Sequence, residues 1–156
     1  MALPTHSIGG DGFSGYLAAS VGPGSPPERE VGPDADFHAV VARCAREACA
    51  AAKVAIHTGP VFSIDTILAQ FQHLDWMVQR FGCIGIEMET AAVFRAARLV
   101  GIKAAALLQF SDVIPARKSL FAGRTPLEQE RRREVRKTAL AQAAVNALRV
   151  AAESSR

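Results

Sequence analysis

The chain of 156 residues is poor in cysteine and in aromatic residues, with 3 cysteines and 6% Phe, Trp and Tyr together. Cys44, Cys49 and Cys83 cannot all pair with one another, and no Cys-x-x-Cys spacing suggests zinc. No apolar run approaches the about 20 residues needed to span a bilayer, and residues 1–15 lack a secretory signal pattern. We therefore expect a cytoplasmic protein with no disulfide framework, no metal site and no membrane partner.

Positive charge is in small and local excess. The net charge is +3, and eight Arg or Lys residues lie between Arg117 and Lys137 against three Glu. Such a cluster can bind nucleic acid or another anion, or it can be the solvated face of a helix in which glutamates alternate with arginines. No aromatic residue stands among the arginines from Arg124 onward, as base stacking would require. We interpret the cluster as a solvated face and expect no nucleic-acid partner.

The first half of the chain alternates loop, helix and strand signals. Residues 16–34 are rich in Gly, Pro and Ser, which predicts a flexible loop. Apolar residues at steps of three and four predict a helix over 34–51. Residues 53–56 predict a short strand that runs on toward Ser63, and residues 75–80 predict one or two helical turns ended by Gly82.

The second half contains the clearest pattern, a strand, a helix and a second strand. Residues 84–86 predict the first strand, and residues 88–100 predict a helix that ends at Gly101. The nearly all-apolar residues 102–110 predict a strand covered on both faces. The expected buried face of the helix comprises Met88, Ala92, Ala96 and Leu99.

A last long helix is predicted from a capping box at Thr125–Glu128, with Pro126 at the first helical position. Its expected buried stripe comprises Thr138, Ala141, Val145, Leu148 and Ala152. The sequence thus predicts an α/β fold in a single domain over residues 1–156. We expect a three-layer α/β/α arrangement with a mostly parallel central sheet.

Carboxylates follow both strands of the strand–helix–strand unit. Glu87, Met88 and Glu89 come after the first strand, and Ser111 and Asp112 come after the second. Ligands bind beyond the carboxyl ends of strands in open parallel sheets, where carboxylates can act as general acids and bind sugar hydroxyls. Alternatively, Glu89 only interacts with the helix dipole, and Ser111–Asp112 only begins a turn.

The block GIEMETAA at residues 85–92, followed by a helix and an apolar run ending in Ser111–Asp112, resembles the nucleoside phosphorylase and nucleosidase family. This family includes purine nucleoside phosphorylase, uridine phosphorylase and methylthioadenosine/S-adenosylhomocysteine nucleosidase. The resemblance implies that Asp112 is the catalytic acid that protonates the purine at N7, with Ser111 orienting the carboxylate or the base.

The resemblance also implies substrate-binding roles for four further residues. Glu89 would bind the ribose hydroxyls, and Met88 would pack against the sugar. Glu87 would line the base and sugar pocket, and Phe62, in a segment that resembles the family's base-binding segment, would stack on the base.

The implied activity is that of a pentosyltransferase of purine salvage, which transfers ribose from a purine nucleoside to phosphate. The reaction gives free base and ribose 1-phosphate and uses phosphate as co-substrate with no other cofactor. The resemblance also implies that the protein forms a homo-oligomer. Family members are longer, and their N-terminal part holds phosphate, so we expect this chain to begin midway through the fold. Two alternatives stay open: a hydrolytic nucleosidase, and a truncated, non-catalytic domain that binds a nucleoside or a partner chain.

Overall fold

A computed structural model describes residues 1–12, 30–112 and 125–154, the side chains of residues 69–72 excepted. The chain divides into two compact units. The sheet unit comprises Leu3–Ala39 and His57–Ala106, and the helical unit comprises Met1–Ala2, Val40–Ile56 and Leu107–Arg156. Most of the loop predicted over residues 16–34 lies outside the described residues.

Four strands form one sheet in the order β2-β1-β3-β4. Their bounds are Ala2–Gly9 for β1, Glu30–Val31 for β2, His57–Ser63 for β3 and Gly85–Glu87 for β4. β1 and β2 pair antiparallel, whereas β3 and β4 pair parallel, with Ser63 opposite Glu87. The α/β class with a mostly parallel sheet is confirmed, and the parallel register places the last residues of β3 and β4 side by side.

Two helices of the sheet unit end at glycines, as predicted. Helix α2, Ile67–Phe81, ends at Gly82 with φ 62°, and α3, Thr90–Val100, ends at Gly101 with φ 70°. Only glycine adopts this left-handed conformation without steric cost. Helix α2 is much longer than the predicted one or two turns. Its apolar residues Ile67, Leu68, Trp76 and Val78 are exposed, whereas Met77 is buried.

The predicted buried face of α3 is wrong. Thr90, Ala91, Phe94 and Ala97 are buried, whereas Met88 and Leu99 are 40% and 70% exposed. Phe94 determines the orientation because it is the largest fully buried side chain, and it packs with Val31 and Ala91. Burying this ring contributes more than burying the smaller apolar side chains on the predicted face.

The strand predicted over residues 102–110 is not present as a strand. Only Leu108 forms a bridge, an isolated antiparallel one with Ala2. Ile102 is 63% exposed, and residues 104–110 are half-buried. An apolar run by itself indicates burial, whereas a strand also requires a ladder partner along its length. Residues 53–56 likewise lie outside β3, which begins at His57.

The helical unit contains the following helical segments: α1 (Ala35–Ala51, its first turn in the sheet unit), α4 (Pro126–Val135), a π-helical segment (Arg136–Leu140) and α5 (Ala141–Glu153). Helix α1 ends in a Schellman motif, in which the Val54 N–H donates to the Cys49 carbonyl at 2.8 Å. Lys53 takes the left-handed position with φ 54°. The capping box of Thr125 and Glu128 is confirmed.

The stripe predicted for the last helix is also wrong. All five of its residues are exposed, and the buried residues are Ala139, Ala143 and Ala147. Ala143 packs with Ala45 and Ala48 of α1. Small side chains let helix backbones approach closely, and the π-helical segment adds one residue to a turn, which changes the phase that a regular spacing predicts. Helix α4 has no buried residue, in agreement with a solvated arginine-rich face.

Candidate active site at the ends of strands β3 and β4

The carboxylate of Glu87 is held at the end of β4 by three donors. Its Oε2 accepts from the backbone N–H of Glu89 at 2.8 Å and of Thr90 at 2.5 Å. Its Oε1 accepts from the hydroxyl of Ser63, and the Ser7 Oγ lies 3.4 Å from the same oxygen. Both backbone donors belong to the start of α3, where unpaired N–H groups and the helix dipole favour a negative charge.

Ser63 connects Glu87 to the rest of the sheet. Its Oγ lies 2.9 Å from the Oγ of Ser7 and accepts from the backbone N–H of Ala91 at 2.9 Å. Its carbonyl accepts from the N–H of Gly10 at 2.9 Å. Ser7 and Ser63 are both completely buried, so these bonds satisfy groups that would otherwise be costly to bury. We call these three side chains the Ser7–Ser63–Glu87 network.

Met88 and Glu89 lie between the anchored residues and point outward. Met88 is 40% exposed, and Glu89 is also exposed. Glu89 occupies the N-cap of α3, yet its side chain makes no capping hydrogen bond. From the described residues, its Oε2 accepts a single long bond, from the Met88 N–H at 3.3 Å. The two glutamates of the motif therefore differ: Glu87 is bound within the protein, and the Glu89 carboxylate faces solvent.

Phe62 lies in the core of the sheet unit, only 3% exposed. It packs with Ile8, Ile64, Met77 and Cys83, and edge-to-face against the Phe81 ring at 5.4 Å between centroids. A Cβ on Gly10 would come within 2.2 Å of the Phe62 ring, so the close approach requires glycine there. Stacking on a base would require the ring to leave this cluster. The predicted stacking of Phe62 on the base stays a prediction, and the burial of the ring does not favour it.

Ser111 and Asp112 belong to the helical unit and follow the bridge at Leu108. Ser111 is exposed, and Asp112 is half-buried. Their predicted roles in acid catalysis stay predictions.

Three further findings concern the chemistry available. Burial raises the pKa of the Cys83 thiol to about 11, so this cysteine is not a ready nucleophile. Within residues 1–12, 30–112 and 125–154, no group of three His, Cys, Asp or Glu residues is arranged to hold a metal ion. None of the helices in the described part of the chain combines the length and the apolar character that crossing a membrane requires.

Sequence reasoning missed Ser7 and Ser63. A signal for Ser63 was available, because it is the last residue of a strand that ends beside β4, where polar side chains collect in parallel sheets. For Ser7 no such signal exists in the sequence, because it lies in the middle of β1 and its partner is 56 residues away.

Comparison with known proteins decides the family. The sequence profile of the Phosphorylase superfamily matches residues 1–152. The chain belongs to this superfamily. Among curated proteins, the chain is similar to two named purine nucleoside phosphorylase DeoD-type. The one from Actinobacillus succinogenes is 31% identical over 85 residues, which is 52% of this chain and 36% of the relative. The one from Myxococcus xanthus is 34% identical over 99 residues, 61% of this chain and 40% of the relative.

Two solved structures share the phosphorylase superfamily fold with this chain. AMP nucleosidase from Bacteroides thetaiotaomicron superimposes with a TM-score of 0.62 at 20% identity, over 99% of this chain and 53% of the other. Futalosine hydrolase of Helicobacter pylori superimposes with a TM-score of 0.60 at 17% identity, over 94% and 57%. The chain thus spans about two fifths of its curated relatives and just over half of these solved chains. The predicted family is confirmed.

Proposed function

We propose that this superfamily member acts in cleavage of the N-glycosidic bond of a purine nucleoside by phosphate, which gives free base and ribose 1-phosphate. One observation carries the proposal. The Glu87-Met88-Glu89 segment begins at the last residue of β4, and the anchoring of Glu87 leaves Met88 and Glu89 exposed for contact with a sugar. The proposal includes phosphate as co-substrate without other cofactors, self-association, a cytoplasmic setting and a role in purine salvage.

The sugar side of the reaction fits the exposed residues. Breaking the glycosidic bond builds positive, oxocarbenium-like charge on ribose. A carboxylate that accepts hydrogen bonds from the ribose hydroxyls both orients the ring and favours that charge. We assign this role to Glu89, and we assign to Met88 an apolar contact with the sugar. The contact of Glu87 with the base and sugar stays a prediction, and its oxygens also accept the hydrogen bonds described above.

The base side of the reaction requires an acid. Negative charge develops on the departing purine, and protonation at N7 removes it. We assign the proton to Asp112 and the orientation of its carboxylate, or of the base, to Ser111. These assignments rest on the Ser111–Asp112 motif and on superfamily membership.

Two observations bear on whether phosphate or water attacks the sugar. The curated relatives at 31% and 34% identity are both named phosphorylases, which supports phosphorolysis. The two solved structures are named nucleosidase and hydrolase, which favours hydrolysis as the second candidate. At 20% and 17% identity these two structures show the fold alone. We therefore propose phosphorolysis as the first candidate and hydrolysis as the second.

The test is an incubation of the purified chain with inosine or adenosine, with and without phosphate, followed by chromatography of base and sugar products. Release that requires phosphate supports phosphorolysis, and equal release without it supports the hydrolytic alternative. Asp112→Asn, prepared in parallel, is the control, because activity from a contaminating enzyme would persist in it. Binding without release would select a non-catalytic nucleoside-binding domain, and neither binding nor release by the folded chain would overturn the proposal.

A further inference from the structure

We propose that Ser63 and Ser7 are positioning residues that act through Glu87 to fix the turn that presents Met88 and Glu89 to the sugar. The identity of the ligand rests on the function proposed above, whereas the anchoring of the turn rests on geometry alone. The Glu87-Met88-Glu89 motif includes neither serine, and neither serine is exposed enough to touch a substrate.

The hydroxyl of Ser63 uses its full hydrogen-bonding capacity. A serine hydroxyl has one donor and two acceptor lone pairs. Ser63 donates to Glu87 Oε1, and accepts from the Ala91 N–H and from the Ser7 hydroxyl. Because its carbonyl also accepts from the Gly10 N–H, the residue links β3 to the segment after β1 and to the first turn of α3.

The carboxylate of Glu87 completes the anchor from the other side. One oxygen accepts the N–H groups of Glu89 and Thr90, and the other accepts the Ser63 hydroxyl. Hydrogen bonds to a charged acceptor are about twice as strong as neutral ones. The backbone is therefore held at residue 89, at residue 90 and, through Ser63, at residue 91.

This arrangement fixes Glu89 without occupying its side chain. The backbone of Glu89 is bonded to Glu87, while its carboxylate faces solvent. A displacement of a substrate-binding group by about 1 Å can reduce a reaction rate about 100-fold. Loss of the Ser63 hydroxyl would leave the Ala91 N–H and the Ser7 hydroxyl without their partner and free the Glu87 carboxylate on one side. We expect the turn to loosen and sugar binding to suffer.

The experiment compares wild type with Ser63→Ala, with Glu87→Ala and with Glu87→Gln, a near-isosteric replacement that keeps one acceptor oxygen. Ser154→Ala is the matched control, because that hydroxyl donates to the carbonyl of Val150 near the end of α5, a bond within one turn of the same helix. Hydrogen exchange of the amides of residues 89–91 is measured without substrate. Kinetics or binding are then measured with inosine and with hypoxanthine.

We expect Ser63→Ala and Glu87→Ala to speed exchange of the three amides about tenfold or more, the loss of one charge-assisted bond. Both variants should raise KM for inosine about tenfold and change hypoxanthine binding less than about twofold. Glu87→Gln should give an intermediate effect, because it removes the charge and leaves one acceptor oxygen for donors on both sides, and Ser154→Ala should behave as wild type. Ser7→Ala, a milder change at the edge of the network, gives the same comparison in a smaller degree if Ser63→Ala does not fold.

Unchanged exchange at residues 89–91 in Ser63→Ala would overturn the proposal. Faster exchange with equal weakening of inosine and hypoxanthine would also overturn it, because the serines would then only stabilise the fold. If the wild-type chain does not bind inosine, the proposed function fails. The exchange measurement still decides whether the network anchors the turn.

Discussion

The sheet unit and the helical unit are stabilised by different interactions. The sheet unit combines a cluster of aromatic and apolar side chains around Phe62 with a buried hydrogen-bond network of two serines and a glutamate. The helical unit is held by apolar packing in which small side chains recur: Ala45, Ala48 and Ala143 form one buried cluster, and Met1, Cys49 and Ala139 form another. Polar partners fix distances in the first unit, and side-chain volume fixes them in the second.

This difference explains why the turn after β4 has a defined backbone geometry. A buried polar network is favourable only when every member has its partner, so it specifies one arrangement of the turn after β4. Alanine packing specifies how closely helices approach, but it supplies no group that could hold a substrate. Changes that remove a polar atom should therefore harm the sheet unit most, and changes in volume should harm the helical unit most.

The largest expected effect is an exception to that comparison. Asp112→Asn conserves volume in the helical unit, so stability should remain. We expect turnover of a purine nucleoside to fall by about 10²–10⁴-fold, the usual contribution of a general acid. Steady-state kinetics with inosine, together with thermal unfolding, check both parts. Unchanged turnover would contradict the assignment of the acid.

Glu89→Gln tests the exposed carboxylate of the sheet unit. A hydrogen bond to a charged group contributes about 1.5–3 kcal/mol, so ribosyl substrates should bind about 10-fold to 100-fold more weakly. Free bases, which lack the sugar, should be affected much less. Calorimetry with inosine and hypoxanthine gives the comparison, and equal weakening of both would argue against a sugar contact.

Ala143→Leu tests the volume-limited packing of the helical unit. Ala143 is completely buried against Ala45 and Ala48, and overpacking of this kind costs about 1–3 kcal/mol. Leu148→Ala on the same helix is the control, because Leu148 is 61% exposed and should change the free energy of unfolding by no more than about 0.5 kcal/mol. Urea unfolding measures both. A larger loss of stability in Leu148→Ala than in Ala143→Leu would contradict this prediction and support the buried stripe expected from the sequence.

The smallest effect near neutral pH concerns Cys83 in the sheet unit. Burial raises the pKa of its thiol to about 11, so the folded state keeps a proton that the unfolded chain loses at lower pH. Its contribution to stability is complete below the unfolded pKa and declines as the pH rises toward about 11. We expect Cys83→Ala to lose less stability than wild type over that interval. Unfolding free energies at several alkaline pH values test this, and parallel profiles would contradict it.

Local sequence signals predicted the ends of helices well. The glycines at positions 82 and 101, and the capping box at Thr125, act within a few residues of themselves, so their effect can be inferred without knowing the fold. Buried faces were predicted poorly. Phe94 and Ala143 lie off the predicted stripes, because a face is selected by the shape of the opposing surface and not by the helix alone.

The sequence by itself determined the α/β class, the family and the position of the Glu87-Met88-Glu89 motif after a strand, because these follow from short-range pattern and residue type. Only the tertiary structure decided that the two glutamates have different environments. The parallel register sets Ser63 beside Glu87, and β1 brings Ser7 to the same point from 56 residues away. A carboxylate accepts hydrogen bonds from whichever donors lie within reach, and the distances between Glu87 and its donors are set by the folded chain.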